Sequence, residues 1–177
     1  PKDIEKNVDC RLLAKIPKEH KPHQKKFWKH NKQAILISSL KTSFKYKESI
    51  KKLRNRIEAS CQKHGYQSIM LTSSLENEGK SSIAANLALA LAANDHKVLI
   101  IDCDLRKPSL HKIFHLNTQR NINEYLNGKG TWEKQVQYLN KNDLFVLCAI
   151  QDIENAENLL SGERIKQLIN NAKKEFD

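Results

Sequence analysis

The chain has 177 residues, 39% of them hydrophobic, and a formal net charge of +11. This length suits a single domain, and the apolar content is low but sufficient for a core. No apolar run reaches the roughly 18 residues of a membrane-spanning helix, and no signal peptide is visible, so we expect a cytoplasmic location. The four cysteines are scattered without CxxC or Cys/His spacing, which predicts neither a disulfide nor a zinc site.

The positive charge is concentrated in the first third of the chain. Residues 1–66 carry a net charge of +12, whereas residues 67–177 carry −1. A basic arm suits anionic lipid headgroups, which attract it by about 1 kcal/mol per basic residue near the surface. Nucleic acid is a competing partner, although the sequence shows no helix-turn-helix spacing, zinc knuckle or aromatic RNA platform. A solvated, charged linker is the third interpretation.

Two units follow from this distribution. Residues 1–33 are interpreted as a basic N-terminal linker or juxtamembrane arm, and residues 34–177 as the folded domain. In the domain, apolar residues spaced at i, i+3 and i+7 predict a helix over residues 46–57. Three charged residues on that helix, Glu48, Lys51 and Arg54, share a face and fit either a solvated surface with a weak ion pair or a subunit contact.

The chain is organised around residues 67–108. A short apolar run at 69–71 predicts a buried strand, and a polar loop leads from it to a buried, alanine-rich helix after residue 82. A second apolar run at 98–101 predicts another buried strand, which ends in Asp102 and Asp104. The order is strand, polar loop, helix, strand and acid pair.

The loop has the spacing of a phosphate site, Ser74-x4-Gly79-Lys80-Ser81, which is the P-loop pattern with Ser in place of the first Gly. Glycine lets the backbone approach a phosphate, and the helix N-terminus attracts the anion. Lys80 would then reach the β- and γ-phosphates of a nucleotide, and the Ser81 hydroxyl would bind Mg²⁺. The alternative is a polar loop that caps a helix, but the flanking elements and the acid pair favour the phosphate site.

Beyond the acid pair, short helices are predicted over residues 109–114, 121–126 and 131–139. A third buried strand is predicted at 144–147, and helices at 157–160 and 163–176. Strands that alternate with helices predict an α/β fold, a P-loop NTPase-like parallel sheet flanked by helices. Because the sequence stops after a helix, where another strand is expected, we expect the sheet to be incomplete at the C-terminus.

These residues resemble a known family, the bacterial tyrosine kinases of capsule and exopolysaccharide export. Residues 98–108, VLIIDCDLRKP, resemble its second Walker motif, in which apolar residues precede Asp-x-Asp-x-Arg and a basic residue with proline. The loop at 72–82 resembles its Walker A motif. The Glu48, Lys51, Arg54 spacing is similar to its Glu-x2-Arg-x2-Arg oligomerisation motif, and residues 159–164 resemble the start of one of its helices.

The resemblance implies ATP-dependent autophosphorylation on tyrosine in a ring of subunits, at the inner face of the cell membrane. The partner would be a transmembrane polysaccharide co-polymerase, fused or separate. Asp102 would help to hold Mg²⁺ and activate the tyrosine hydroxyl, Asp104 would lie just outside the metal's direct ligands, and Ser81 would complete the metal site. The residues implied in contact with ATP or ADP are Ser74, Asn77, Glu78, Gly79, Lys80, Ser81, Ser82 and Arg106.

The sequence departs from the family at several points. Glu76 and Asn77 replace the usual Pro-Gly, and we expect the Glu76 carboxylate to oppose an anionic ligand. Lysine at position 51 loses the bidentate fork of arginine, which predicts a weaker ring. The family's Walker B aspartate and its C-terminal tyrosine cluster are absent from these 177 residues.

Two alternatives remain open. A MinD/ParA-type positioning ATPase shares the P-loop, but its signature lysine is replaced here by Leu75. The motif Asp-x-Asp-x-Arg-Lys-Pro is also not typical of that class. A catalytically weak structural domain of the export complex would suit the altered loop.

Overall fold

The computed structural model describes residues 11–19, 34–139, 143–150 and 156–177. The helices and strands in these ranges are α1 (Phe44–His64), α2 (Lys80–Ala92), β1 (Val98–Ile101), α3 (Leu110–Ile113), α4 (Ile122–Leu126), α5 (Trp132–Gln135), β2 (Gln137–Leu139), β3 (Leu144–Leu147), α6 (Ala156–Ser161) and α7 (Glu163–Glu175). Among these helices, none combines the length and the apolar content that crossing a bilayer requires.

The described strands form one small sheet in the order β1-β3-β2. β1 and β3 are parallel, with Val98 opposite Leu144 and Ile101 opposite Leu147. β2 is antiparallel to β3. The predicted α/β class is therefore confirmed, with a parallel pair of strands covered by helices, and the added antiparallel strand makes the sheet mixed.

Helices cover both faces of the sheet because side chains alternate along each strand. On one face, Leu99 and Leu147 pack with residues of α4 and α7 such as Ile122 and Leu168. On the other face, Val146 packs against the alanines of α2. The parallel pair is thus buried from both sides, as its continuous apolar sequence predicts.

Helix α2 lies between the sheet and α1. Its alanines at 85, 88 and 92 contact the sheet, while Leu87 and Ala90 pack against the apolar stripe of α1. Helix α1 is longer than the predicted 46–57, because Ser43 caps its start and Gly65, with φ of 69°, ends it in the left-handed region. Small alanine side chains let the sheet approach α2 closely. This packing fixes the position of α2, and of its first turn, relative to the sheet.

A buried amide, Asn86, ties the segment before α1 to α2. Its side chain is 0% exposed. Its Oδ1 accepts a hydrogen bond from the Ile37 amide at 2.7 Å, and its Nδ2 donates to the Ile35 and Ser82 carbonyls at 2.8 Å each. The bonds to the Ile37 N–H and the Ile35 carbonyl give partners to two partly buried backbone groups outside the helices.

Part of the predicted N-terminal arm lies on the domain. Leu13 and Ile16 pack in the cluster between α1 and α2. Arg56 donates from one guanidinium nitrogen to the Leu12 and Leu13 carbonyls, at 3.0 and 2.5 Å. The rest of the arm, residues 1–10 and 20–33, lies outside the described residues.

The predicted strand at residues 69–71 is wrong. Met70 is 89% exposed and Ile69 is 44% exposed, and none of the described strands pairs with this segment. Three apolar residues are too few to define a period, and an extended segment becomes a strand only where a neighbouring edge accepts its backbone hydrogen bonds. Nearby, Gln67 instead donates from its side chain to the Lys173 carbonyl at 3.2 Å.

The helix predicted over residues 131–139 is correct only for its first part. α5 ends at Gln135, Val136 is extended, and residues 137–139 form β2. Tyr138 lies opposite Phe145, and their rings are 4.9 Å apart. The sequence of residues 137–139 alone fits either a helix or a strand. The aromatic contact and the hydrogen-bonding edge of β3 favour the strand.

The Asn86 bonds generate a stability prediction. Asn86→Ala should lower the free energy of unfolding by about 3 kcal/mol, because it leaves the Ile37 N–H and the Ile35 carbonyl without partners. Urea unfolding followed by circular dichroism measures the change. Asn171→Ala, on the exposed face of α7, is the control and should change stability by less than about 0.5 kcal/mol. Equal effects from the two variants would contradict a structural role for the buried amide.

Candidate functional site

The candidate site begins where the loop at 72–79 enters α2. Gly79 is the residue before the helix, with φ of 94° in the left-handed region, and no described side chain caps this helix end. A Cβ at Gly79 would meet nothing within 4 Å, so the backbone conformation, and not a lack of space, favours glycine. The N–H groups of the first turn have no acceptors within their own helix. They form an open site for an anion.

Lys80 and Asp104 join this loop to the end of β1. The Lys80 ammonium donates to Asp104 Oδ2 at 2.7 Å. The side chains are 31% and 28% exposed, so this is a partly buried ion pair that solvent still reaches. A cation from the start of a helix and a carboxylate from the end of a strand therefore meet at one point.

The pKa of Asp104 is lowered. Burial is the largest single influence and acts to raise it, but hydrogen bonds from the Lys80 side chain and the Lys107 amide, with the charges of both lysines, outweigh it. The carboxylate is therefore held in its charged form. Any stability that this pair contributes is present above the ordinary aspartate pKa and is lost as the pH falls.

Asp102 is fixed by the backbone. It is 5% exposed. Its Oδ1 accepts the Asp104 amide at 3.1 Å, and its Oδ2 accepts the Ser109 and Leu110 amides at 3.0 Å each. Burial raises its pKa by more than these donors lower it. The two carboxyl groups of the acid pair are thus shifted in opposite directions, a pattern typical of sites that divide proton and charge roles.

The departures in the loop are accommodated. The Glu76 carboxylate accepts two bonds from the Lys107 ammonium, at 2.7 and 2.8 Å. The expected repulsion of an anion by Glu76 is therefore offset by a paired cation. Asn77 has φ of 64°, in the left-handed region that the family fills with glycine. Asparagine is among the residues that tolerate this conformation best.

The other predicted nucleotide contacts are placed around the loop. Ser74 and Glu78 are exposed in it, and the Glu78 carboxylate accepts the Leu75 amide at 3.1 Å. Ser81 and Ser82 belong to the first turn of α2. Arg106 instead donates to Glu157, at the start of α6, at 2.6 Å. The structure therefore groups the predicted contacts except Arg106, which is engaged elsewhere in the free chain.

Sequence reasoning missed two contributions to the site. The Ser109 and Leu110 amides, which hold Asp102, could not be predicted from the sequence because every residue except proline supplies a backbone N–H group. The pairing of Glu76 with Lys107 had a partial signal, since Glu76 was singled out as a departure and Lys107 lies in the motif at 98–108, but their proximity follows only from the fold.

The ion pair generates a prediction about pKa values. Lys80→Met should raise the pKa of Asp104 toward or above the ordinary value of 3.8, because it removes one donor and one positive charge while burial remains. Carboxyl ¹³C chemical shifts followed through a pH titration measure it. Lys112→Met, an exposed lysine in α3, serves as the control. An Asp104 titration identical in the two variants would show that the pair does not form in solution.

Comparison with known proteins assigns the fold. Residues 69–177 match the model of the CobQ/CobB/MinD/ParA nucleotide binding domain. The chain is 37% identical over 130 residues to tyrosine-protein kinase YwqD of Bacillus subtilis (strain 168), covering 73% of this chain and 55% of YwqD. It is 31% identical over 175 residues to tyrosine-protein kinase ptk of Acinetobacter johnsonii, covering 98% of this chain and 24% of ptk. The chain thus spans only part of these relatives.

A solved structure agrees. The kinase domain of Escherichia coli tyrosine kinase ETK superposes with a TM-score of 0.84 at 25% identity, covering 100% of this chain and 69% of that one. The family match covers more than half of the chain and includes the loop, α2 and the acid pair. This chain belongs to the CobQ/CobB/MinD/ParA family of nucleotide-binding domains.

Proposed function

We propose that this chain is part of an ATP-dependent protein tyrosine autokinase that acts in capsular or exopolysaccharide biosynthesis. The observation that carries the proposal is the 2.7 Å contact between Lys80, at the open start of α2, and Asp104, at the end of β1. The similarity to two tyrosine-protein kinases and to a kinase-domain structure supports the reaction class.

The nucleotide phosphates would bind at the first turn of α2. There the backbone amides of residues 79–82 attract the anion, and Gly79 keeps the approach open. Lys80 would exchange Asp104 for a phosphate oxygen, since both are anionic acceptors for one ammonium group. Ser74, Asn77 and Glu78 would line the same loop, and Arg106 would contact the nucleotide after leaving Glu157.

The residues present also fit Mg²⁺. A serine hydroxyl and aspartate carboxylates are the hard oxygen donors that this ion prefers, and the site offers Ser81, Asp104 and Asp102. Bound Mg²⁺ would neutralise charge on the transferring phosphoryl group. The resemblance assigns Asp102 to the ion and the tyrosine hydroxyl, and Asp104 to a position just outside the direct ligands. Asp104 is the more accessible carboxylate, so we propose that it too would contact the ion, whereas the buried Asp102, which accepts three backbone amides, holds the turn in place.

Export partners are proposed from the relatives. The chain is 34% identical over 112 residues to the succinoglycan biosynthesis transport protein ExoP of Rhizobium meliloti (strain 1021), covering 62% of this chain and 14% of ExoP. We infer a partnership with a transmembrane polysaccharide co-polymerase, fused or separate, and a location at the inner face of the cell membrane. The basic arm at residues 1–33 would add attraction to that surface.

Self-association into a ring through Glu48, Lys51 and Arg54 remains a proposal. Lys51 and Glu48 pair at 2.9 Å on the exposed side of α1. Arg54 is instead turned onto its own domain, where it is 3.6 Å from Glu58 and donates to the Ala90 carbonyl at 3.4 Å. A ring contact by Arg54 would have to replace these bonds, which supports the expectation of weak assembly.

The family match also accommodates the MinD/ParA-type ATPase, and the chain could act as a structural domain of the export complex. Leu75, at the position of the ATPase signature lysine, is 70% exposed and carries no charge. The three functions differ in what they bind and modify, so two measurements separate them.

The first prediction concerns nucleotide binding. The chain should bind ADP with Mg²⁺ in isothermal titration, and Lys80→Met should weaken binding by about 100-fold, the equivalent of one charge-assisted hydrogen bond of roughly 2.7 kcal/mol. Lys112→Met should bind as the wild type does. No heat of binding from the wild-type chain would favour the structural domain.

The second prediction concerns tyrosine phosphorylation. In the cells that produce it, the protein should carry phosphotyrosine detectable by blotting, and Lys80→Met should abolish the signal because phosphoryl transfer depends on charge neutralisation at the phosphates. A wild-type protein that hydrolyses ATP but never becomes phosphorylated on tyrosine would favour the positioning ATPase.

A further inference from the structure

The turn before α1 presents two large apolar side chains to solvent. Leu40 is 99% exposed and Phe44, the first residue of α1, is 78% exposed. We call these two residues the apolar tip. They are four positions apart at the junction of a turn and a helix. Large exposed apolar side chains that are close in the chain mark an interaction surface more often than single ones do.

The tip is held by an ordered turn. The Ser39 amide donates to the Leu36 carbonyl at 3.0 Å, and the Thr42 amide donates to the Ser39 carbonyl at 3.3 Å. The Thr42 hydroxyl, which is buried, also donates to the Leu36 carbonyl at 2.6 Å. Exposure of Leu40 is therefore built into the fold, so docking the tip costs little ordering of the backbone.

An exposed lysine follows each residue of the tip in the sequence. Lys41 and Lys45 are exposed and directly follow Leu40 and Phe44. The nearby acid, Glu19, is engaged at the helix start, where its carboxylate accepts the Ser43 amide at 2.6 Å and the Ser43 hydroxyl at 2.7 Å. An approaching surface thus meets apolar side chains with adjacent ammonium groups.

The most basic stretch of the sequence begins and ends beside the tip. Residues 20–33 contain five lysines, three histidines, Phe27 and Trp28, and no acidic residue. The stretch leaves from Glu19, which is bonded to Ser43, and returns at residue 34, two positions before the carbonyl that accepts the Thr42 hydroxyl. Both attachment points therefore lie beside the tip.

We propose that the apolar tip, with Lys41 and Lys45, docks on an anionic lipid bilayer. Leu40 and Phe44 enter the boundary between headgroups and acyl chains, while the lysines attract the headgroups. Leucine neither stacks on bases nor hydrogen bonds to them, which disfavours nucleic acid. A second copy offers the two lysines little charge attraction, because residues 67–177 carry a net charge of only −1, and the ring contact proposed above uses α1 from Glu48 onward. The proposal is independent of kinase activity.

Vesicle co-sedimentation of the 177-residue chain tests the proposal, with vesicles of phosphatidylcholine alone and of phosphatidylcholine with about 30% phosphatidylglycerol. The chain should bind the anionic vesicles and not the neutral ones. Leu40→Ser/Phe44→Ser should weaken binding at least about tenfold, because it removes the inserted apolar area. Lys41→Gln/Lys45→Gln should weaken it several-fold and flatten its salt dependence.

The matched control is Met70→Ser, which removes an equally exposed apolar side chain (89%) outside the tip and should bind as the wild type does. Thermal unfolding checks that each variant is folded. If the double variant does not fold, the single variant Leu40→Ser is used in its place. Anionic binding that survives Leu40→Ser/Phe44→Ser would overturn the proposal. So would tip-dependent binding to a DNA duplex without lipid binding, or a tip-dependent dimer that binds no vesicles.

Discussion

The ion pair between Lys80 and Asp104 brings together two elements that are 24 positions apart in the sequence. With about a third of each side chain exposed, the pair itself adds little to stability. Its position is set by the core beneath it, where α2 packs on the parallel strands. A contact that is well placed but weakly stabilising is easily exchanged, so an incoming phosphate can take the ammonium group from the carboxylate at small cost.

Helix α2 achieves this placement because it is buried on two sides. Alanines face the sheet and leave room for close approach, while Leu87 and Ala90 face α1. Asn86 adds directional bonds to the segment before α1. The start of α2 is thereby fixed relative to β1, and the loop before it needs no side-chain cap. The helix end that would bind phosphate is therefore left open by the same packing that stabilises the domain.

The sequence predicted well what long patterns determine. The apolar stripe of α1, the alanine-rich α2 and the runs that form β1 and β3 gave the α/β class, and the acid pair after β1 gave the location of the site. The prediction failed for short segments whose structure depends on a neighbouring strand. Residues 69–71 lack a pairing edge among the described strands, and residues 137–139 become β2 because β3 provides one.

The candidate site shows the same division. Residue types and spacing placed Lys80 near the acid pair, but they could not distinguish the two carboxylates. Only the fold shows that three backbone amides hold Asp102 while Asp104 faces the lysine. Likewise, the charge of Glu76 was visible in the sequence, whereas its compensation by Lys107 depends on how the loop is folded.

A crystal structure of the chain with ADP and Mg²⁺ tests the central claim most directly. The account predicts the β-phosphate at the amides of residues 79–82, with the Lys80 ammonium moved from Asp104 to a phosphate oxygen. ADP bound elsewhere, or Lys80 still on Asp104 with the nucleotide in place, would contradict it.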